Sequence, residues 1–318
     1  MKEENQTANQ PAPQKKKKNK KLGNLLLLVV AFLWGSSLTV VKGAQDYVNP
    51  NMILAIRFSV AALVLAIIFW KKIRDMTKDD LKSGVSIGVF LFIAYSIQTV
   101  GVGYTDPGRS AFLSASYCVL VPFISWIVLK NRPDKFNMIA AAFCIVGIYF
   151  VSMAGGAENS VLGQGREAIL GDALALLSGL FFASHIVAVT KFSKGKDPYL
   201  MTILQFITAA VLSGLTTLFF EDNSNLVIGQ RTFLELAYLA IMCTAVALLF
   251  QNVGQKYTDE TSAALILSLE SVFGILIPVA LGVETLTVYK TIGFVMIFVA
   301  ILISETKLSF LFSDSKEE

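Results

Sequence analysis

The sequence QTVGVGYTDPGRSA at residues 98–111 recurs as QNVGQKYTDETSAA at residues 251–264, so the offset from 98 to 251 is 153. Seven positions are identical in the two copies, and each copy ends one long apolar run and begins the next. Identity this dense at a fixed offset indicates an internal duplication. We therefore expect the two halves of the chain to share one fold.

The apolar residues of this chain form long, nearly uncharged blocks. Of the 318 residues, 54% are hydrophobic and 16% are charged, whereas soluble domains carry about a quarter charged residues. Each block is about 20 residues long, which is enough for a helix to cross the hydrocarbon core of a bilayer. We therefore predict an all-α polytopic membrane protein with ten transmembrane helices. The predicted spans, numbered in chain order, are 22–41, 51–70, 84–103, 109–129, 136–153, 169–190, 199–219, 232–252, 261–280 and 288–304.

Lysine and arginine are distributed unequally between alternate loops. The loops and tails on one side carry 21 of these residues and those on the other side carry 5, while Arg57 lies inside a span. Cytoplasmic loops are enriched in lysine and arginine, so the richer side, which we call the basic side, is predicted to face the cytoplasm together with both termini of a cell-membrane protein. This distribution explains the net charge of +4 without a nucleic-acid partner.

A second offset relates the beginnings of the two halves. Residues 22–24 (LGN) match residues 170–172 (LGD) at an offset of 148, and at the same offset Arg57 matches Gln205. Spans 1–5 therefore repeat as spans 6–10. Because each copy holds an odd number of spans, the second copy must cross the membrane in the opposite direction to the first. The sequence thus predicts two inverted five-helix repeats, an architecture of secondary transporters.

The chain divides accordingly into two repeats and three shorter segments. Residues 1–21 are polar and basic, which predicts a disordered cytoplasmic tail that can contact anionic membrane lipid. The remaining segments are the first repeat (22–153), an external linker (154–168), the second repeat (169–306) and a cytoplasmic C-terminal tail (307–318).

Glu270 is the strongest candidate for a functional side chain inside a span. It lies about ten residues from either end of span 9, too deep to reach an interface. A carboxylate at that depth is neutralised or paired, so Glu270 is the residue expected to exchange a proton if transport is proton-coupled. The alternative is a protonated glutamate that hydrogen-bonds to a neighbouring helix.

Arg57 is the only basic residue placed well inside a span. It follows Asn51, near the outer start of span 2, by six residues, and at about 1.5 Å per residue its depth is about 9 Å. A guanidinium there must reach the interface, bind a carbonyl group or face water. It could also bind an anionic group of a substrate or pair with Glu270.

Further small and polar residues inside the spans could line a pathway. The small residues beside Gly35 allow another helix or a ligand to approach closely, and helix packing explains them equally well. The chain has one histidine, and its three cysteines lie within spans without a C-x-x-C pair, so no metal or cofactor site is predicted. Together with Arg57 and Glu270, the candidate substrate or cavity residues are Trp34, Ser36, Ser37, Gln98, Tyr117, His185 and Gln251.

These features together resemble the EamA-type members of the drug/metabolite transporter superfamily. The resemblance covers about residues 22–304, and Ser271 stands where the family pattern SLEPVF has proline. It implies export or import of a small metabolite through a central cavity between the halves. The motifs that carry it are Trp34-Gly35-Ser36-Ser37 in span 1, residues 98–123 across spans 3 and 4, and residues 268–273 (SLESVF) followed by 282–284 (GVE).

The predicted function is secondary active transport of a small molecule by alternating access. The expected substrate is an amino acid, a related metabolite or a drug-like compound, moved in the export direction with a proton or a counter-substrate as the coupling partner.

A non-transporting receptor or scaffold is one alternative, which the inverted halves disfavour. A membrane-embedded lipid-modifying enzyme is another, but one histidine and scattered carboxylates argue against a clustered catalytic set. No P-loop sequence is present, which argues against a directly ATP-driven pump. The sequence does not predict an oligomeric state.

Overall fold

The computed structural model of this chain describes residues 13–153, 164–224, 226, 228–258, 260–283 and 285–307, and every regular element among them is helical. A π-helical segment, Ile241–Val246, joins the tenth α-helix to the eleventh. In chain order the α-helices are α1 (Pro13–Ala44), α2 (Pro50–Ile68), α3 (Trp70–Arg74), α4 (Lys78–Tyr104), α5 (Pro107–Ala115), α6 (Tyr117–Leu129), α7 (Lys135–Met153), α8 (Gln164–Phe192), α9 (Pro198–Phe220), α10 (Gln230–Ala240), α11 (Ala247–Tyr257), α12 (Glu260–Ala280) and α13 (Val288–Thr306).

Most of these helices have the length and composition of membrane spans. Across the described residues, seven helices are long and apolar enough to cross a bilayer, and three shorter apolar helices run over Lys135–Phe150, Ile266–Ala280 and Val288–Ile303. Helices satisfy their own backbone hydrogen bonds, as a chain in hydrocarbon requires. Large apolar side chains such as Leu63 and Ile127 are exposed on the outer surface. The chain is therefore a multi-pass helical membrane protein, which confirms this part of the prediction.

The structure differs from the sequence prediction at two segment boundaries. Helix α1 begins at Pro13, so residues 13–21 are helical rather than disordered. Lysines are good helix formers, and a helix that is nucleated in the apolar run extends into them at little cost. Helix α8 begins at Gln164, so residues 164–168 of the predicted linker are helical as well. The rest of the predicted tails and linker lies outside the described residues, at 1–12, 154–163 and 308–318.

Two of the long apolar segments are irregular part of the way along, at the junctions of α5 with α6 and of α10 with α11. Helix α5 ends at Ala115 and α6 begins at Tyr117, with Ser116 between them at φ −54° and ψ −14°. Helices α10 and α11 are joined through the π-helical segment. Irregular backbone at membrane depth is tolerated where it is buried in protein or lines a cavity, and π-helical turns are frequent at functional sites. Both irregularities therefore indicate a site in the interior.

The first and second parts of the chain interlock. Helix α1 packs on α11 and α12, and α8 packs on α4, α5 and α6. Helix α2 packs on α9, and α7 packs on α13. Each of these contacts joins a helix from the first part of the chain to a helix from the second part. Any large movement between the two parts must therefore repack these interfaces.

The repeated stretches explain part of this interlocking. In the first copy, Thr105 Oγ1 donates a hydrogen bond to Asp172 Oδ1 in the first half of α8, at 3.0 Å. In the second copy, Thr258 Oγ1 donates a hydrogen bond to Asn24 Oδ1 in α1, also at 3.0 Å. The two threonines are equivalent at the offset of 153, and Asn24 and Asp172 are equivalent at the offset of 148. We call these contacts the first clasp and the second clasp.

Glycine brings the helices close together in both clasps. A Cβ atom added at Gly171 would lie 2.9 Å from Thr105 Cβ, and one added at Gly23 would lie 2.6 Å from Thr258 Oγ1. A larger side chain at either glycine would therefore push the helices apart. The first clasp also holds a buried ion pair between Arg109 and Asp172, whereas the position equivalent to Arg109 in the second copy, residue 262, is a serine. The two clasps are thus similar in geometry, and only the first has an arginine at this position.

Gly35 sets the distance between α1 and α12. A Cβ atom there would lie 2.4 Å from Phe273 Cβ and 2.8 Å from the carbonyl oxygen of Glu270. We predict that Gly35→Ala lowers the melting temperature of the purified protein in detergent, because overpacking costs about 1–3 kcal/mol.

The matched control is Gly214→Ala in α9, where an added Cβ would meet nothing within 4 Å among the described residues. Alanine has the higher helix propensity, so this variant should melt at the same temperature as the wild type or above it. Equal melting temperatures for Gly35→Ala and Gly214→Ala would contradict the close contact between α1 and α12.

Candidate functional site

A cavity lies inside the helix bundle, with walls contributed by both parts of the chain. The walls belong to α1, α4, α5, α6, α8, α11 and α12. The predicted site residues that line it are Trp34, Ser37, Gln98, Tyr117, His185, Gln251 and Glu270. The other lining residues are Leu38, Leu91, Tyr95, Ala111, Phe182, Ile186, Leu248 and Leu267.

The cavity is small in this structure. The space open to the centre of a water molecule is about 30 Å³, which accommodates about two waters. A small metabolite needs more room than this, so the cavity as seen in this structure is too narrow to hold one.

Aromatic rings form much of the cavity wall. The ring of Phe182 lies 5.2 Å from that of Tyr95, edge to face, and 6.3 Å from that of Tyr117, measured between ring centroids. Trp34 completes the aromatic surface, and its Nε1 donates a hydrogen bond to the Cys243 carbonyl oxygen at 3.1 Å. Rigid apolar walls with a small number of polar groups are typical of sites for small molecules.

Glu270 contributes the carboxyl group of this cavity. Its side chain is 8% exposed, and no hydrogen bond or ion pair to its carboxyl group is present among the described residues. An unpaired carboxylate is costly in an apolar interior, and contact with water removes that cost. The alternative requires a hydrogen bond from Glu270 to a neighbouring helix, and no such bond is present among the described residues.

His185 pairs with a glutamine from α9. Its Nε2 donates a hydrogen bond to Gln205 Oε1 at 2.9 Å, and both side chains are buried. At the offset of 148, His185 is equivalent to Ser37 and Gln205 is equivalent to Arg57. The histidine therefore lies on the cavity wall with an interhelical partner.

Two of the predicted residues, Ser36 and Arg57, do not line the cavity. Ser36 Oγ donates a hydrogen bond to the Leu33 carbonyl oxygen at 2.8 Å and lies 2.6 Å from the hydroxyl oxygen of Tyr238. Arg57 lies behind Tyr95, with its Cζ atom 5.3 Å from the centroid of the tyrosine ring. Its side chain is buried within the protein, so it does not reach for the membrane interface.

Sequence reasoning missed Tyr95, which touches both the cavity and Arg57. A signal was available, because Tyr95 precedes Gln98 by three residues and residues at that spacing share one face of a helix. Phe182 was also not selected, although it is equivalent to Trp34 at the offset of 148. A tyrosine or phenylalanine in an apolar run carries little signal by itself, because most such residues pack against lipid or other helices.

A wider opening lies beside the cavity on the basic side. By the same measure it encloses about 840 Å³, and it is lined by the end of α8, the start of α9 and the end of α11. Ile186 belongs to both spaces. On the opposite side, the buried ion pair of the first clasp and a hydrogen bond from Lys42 Nζ to the Val102 carbonyl oxygen (3.1 Å) hold the helices together. The bundle thus has an opening next to the cavity on the basic side, whereas on the opposite side these contacts join the described helices.

We predict that His185→Leu lowers the melting temperature, because it leaves the Gln205 amide buried without its partner at a cost of about 1–3 kcal/mol. Gln205→Leu should have a similar effect by leaving His185 unpaired. The double variant should lose less than the sum of the two single losses. Melting of the four proteins forms a double-mutant cycle, and strictly additive losses would contradict a direct hydrogen bond.

Comparison with known proteins identifies the family. The model of the EamA-like transporter family matches the chain twice, over residues 21–153 and 169–306. The motifs quoted above therefore pointed to the right family.

Individual relatives agree with this assignment. An Archaeoglobus fulgidus protein named as an uncharacterized transporter is 34% identical over 284 residues, covering 88% of this chain and 84% of that protein. The Bacillus subtilis uncharacterized transporter YyaM is 26% identical, covering 87% of this chain and 92% of that protein. A solved crystal structure with 17% identity shares the fold, with a TM-score of 0.67 over 91% of this chain and 98% of the other. The family and the names of the relatives point to membrane transport rather than to enzymatic catalysis. The chain belongs to the EamA-like transporter family.

Proposed function

We propose that this chain is a secondary active transporter that exports a small metabolite across the cell membrane by alternating access. The observation that carries the proposal is the narrow cavity between the two parts of the chain, with an opening beside it on the basic side and the first clasp on the opposite side. A transporter of this kind exposes one site to each side of the membrane in turn. Aromatic walls with a few polar groups suit an amino acid, a related metabolite or a drug-like compound.

The proposed architecture is ten spans arranged as two inverted five-helix repeats, residues 22–153 and 169–306. Two observations support it. The clasps use equivalent residues yet lie toward opposite ends of α1: Thr105 of the first clasp accepts a hydrogen bond from Lys42 near the end of α1, and Thr258 of the second clasp binds Asn24 in its first half. The family model also matches each half separately. In this arrangement the basic side is cytoplasmic and holds both termini, and the linker within 154–168 is external.

In the proposed mechanism the two clasps open alternately. When the bundle opens on the side opposite the basic side, both Thr105 and Arg109 move away from Asp172. Leaving one charge of a buried pair without its partner costs about 3–5 kcal/mol, so this gate opens only if both charges reach water or a new partner. The second clasp has a serine at the position equivalent to Arg109, so the same arginine–aspartate pair does not resist opening on the basic side. We therefore expect the empty transporter to favour the form that is open toward the basic side.

Glu270 is the proposed carrier of a coupling proton, and a counter-substrate is the alternative coupling partner. The carboxyl group lies on the cavity wall without a described partner. Burial favours its neutral form and contact with water favours its charged form. Alternating access would expose this one group to each side in turn.

We predict that Glu270→Gln abolishes transport driven by a pH gradient, because glutamine has nearly the same size and cannot release a proton. Wild type and variant are reconstituted into proteoliposomes and screened with labelled amino acids, related metabolites and drug-like compounds. Flux along the pH gradient should fall to background in the variant. The matched control is Glu167→Gln, which removes an exposed carboxylate in the first turn of α8 and should transport like the wild type.

Two outcomes would contradict parts of the proposal. Equal pH-driven flux in wild type and Glu270→Gln would remove Glu270 from coupling. Absence of flux for every compound in the wild type, with the protein correctly inserted, would contradict transport and favour the receptor or scaffold alternative.

A further inference from the structure

Arg57 is a fully buried charge with an incomplete set of partners. Its side chain is 1% exposed. Its Nε donates a hydrogen bond to Thr244 Oγ1 at 3.0 Å, but Nη2 has no hydrogen-bond partner, and no ion pair to Arg57 is present among the described residues. A buried guanidinium normally has a carboxylate or several carbonyl groups around it. This one has a hydroxyl group and the face of Tyr95.

Among the described residues, Arg57 makes its hydrogen bond to a residue of the π-helical segment, Thr244. Thr244 Oγ1 accepts the bond from Arg57 and donates to the Leu239 carbonyl oxygen at 2.7 Å. Trp34 Nε1 bonds to the carbonyl oxygen of the neighbouring residue, Cys243. Trp34 from α1 and Arg57 from α2 therefore hold the same irregular turn. π-helical turns are frequent at functional sites, which makes this junction a candidate for ligand contact.

The side chain of Tyr95 separates the Arg57 guanidinium from the cavity. Tyr95 lines the cavity and carries the Arg57 guanidinium on its face. Trp34 lines the cavity as well. If the Tyr95 side chain turns aside when the cavity widens, the guanidinium becomes part of the cavity wall.

We propose that Arg57 is an anion subsite that takes the carboxylate group of the transported molecule. This inference rests on the proposed transport function and adds to it the chemical class of the substrate. The substrate's carboxylate would supply the partner that Nη2 lacks, and the planar guanidinium presents two parallel N–H groups that fit two carboxylate oxygens. Because Arg57 is hydrogen-bonded to Thr244, a carboxylate that binds the guanidinium would also shift the π-helical segment between α10 and α11.

The charge of the site favours a carboxylate over a phosphate group. Arg57 offers one positive charge, and no lysine or arginine is among the described residues that line the cavity. A carboxylate neutralises it fully. A doubly charged phosphate would leave one negative charge buried and unpaired, which is costly.

Trp34 provides a direct readout of this site. The other two tryptophans, Trp70 and Trp126, are exposed and are replaced by phenylalanine in the full-length protein. The emission of Trp34 is then followed during titration with acetate, with acetamide as an uncharged probe of the same shape and inorganic phosphate as the alternative anion. Acetate should produce a saturable change, and acetamide should produce none.

Arg57→Gln in this background should raise the half-saturating acetate concentration roughly tenfold or more, as expected when a hydrogen bond to a charged group is lost. The matched control is Arg231→Gln, which removes an exposed arginine and should leave the titration unchanged. Circular dichroism and gel filtration verify folding. If Arg57→Gln does not fold, Arg57→Lys replaces it, and loss of the paired N–H groups predicts several-fold weaker binding.

Several results would overturn the proposal. They are the absence of a saturable acetate response, equal responses to acetate and acetamide, a response to phosphate alone, or an acetate titration that Arg57→Gln or its lysine replacement leaves unchanged. The titration needs no flux, so it separates this subsite from the transport function. Transport without acetate binding would overturn only the subsite, and acetate binding without transport would overturn only the proposed function.

Discussion

The close approach of a threonine to a glycine in the first half of a long helix is the contact on which this structure depends. It occurs twice, as Thr105 against Gly171 and as Thr258 against Gly23. In each case the end of one helix hairpin is held against the first half of a helix from the other part of the chain. The contact needs a residue without a side chain at one position and a short hydroxyl group at the other. The interlocked bundle follows from these two clasps together with the α2–α9 and α7–α13 interfaces.

Charge is placed unevenly around this symmetric arrangement. The first clasp contains the buried Arg109–Asp172 pair, and the second has a serine at the position equivalent to Arg109. The interior holds Arg57 and Glu270 without an ion pair to either among the described residues. In an apolar medium such groups are costly unless a proton, a ligand or water compensates them. The proposed transport cycle provides each of these in turn.

The sequence predicted the multi-pass helical class and the family, because hydropathy and motifs can be read from the local sequence. Seven of the nine predicted site residues line the cavity. The sequence did not predict the break at Ser116 or the π-helical segment, since no proline or glycine occupies either place and tertiary contacts produce them. The surroundings of Arg57 were also beyond reach. Depth alone allowed the guanidinium to extend to the interface or to stay buried. The contacts that Arg57 makes with Thr244 and Tyr95 in the folded bundle decide between the two. The polar and basic composition of residues 1–21 predicted disorder, but the apolar run that follows nucleates a helix, and this helix extends back to Pro13.

The central claim, that equivalent clasps lie on opposite faces of the membrane, can be tested at Tyr104 and Tyr257. These residues end α4 and α11, are equivalent at the offset of 153, and are 43% and 38% exposed. In a background in which the three native cysteines are replaced by alanine, Tyr104→Cys and Tyr257→Cys are treated separately with a membrane-impermeant maleimide in intact cells. The account predicts that position 104 is labelled directly and position 257 only after the membrane is permeabilised. Labelling of both positions from the same side would contradict it.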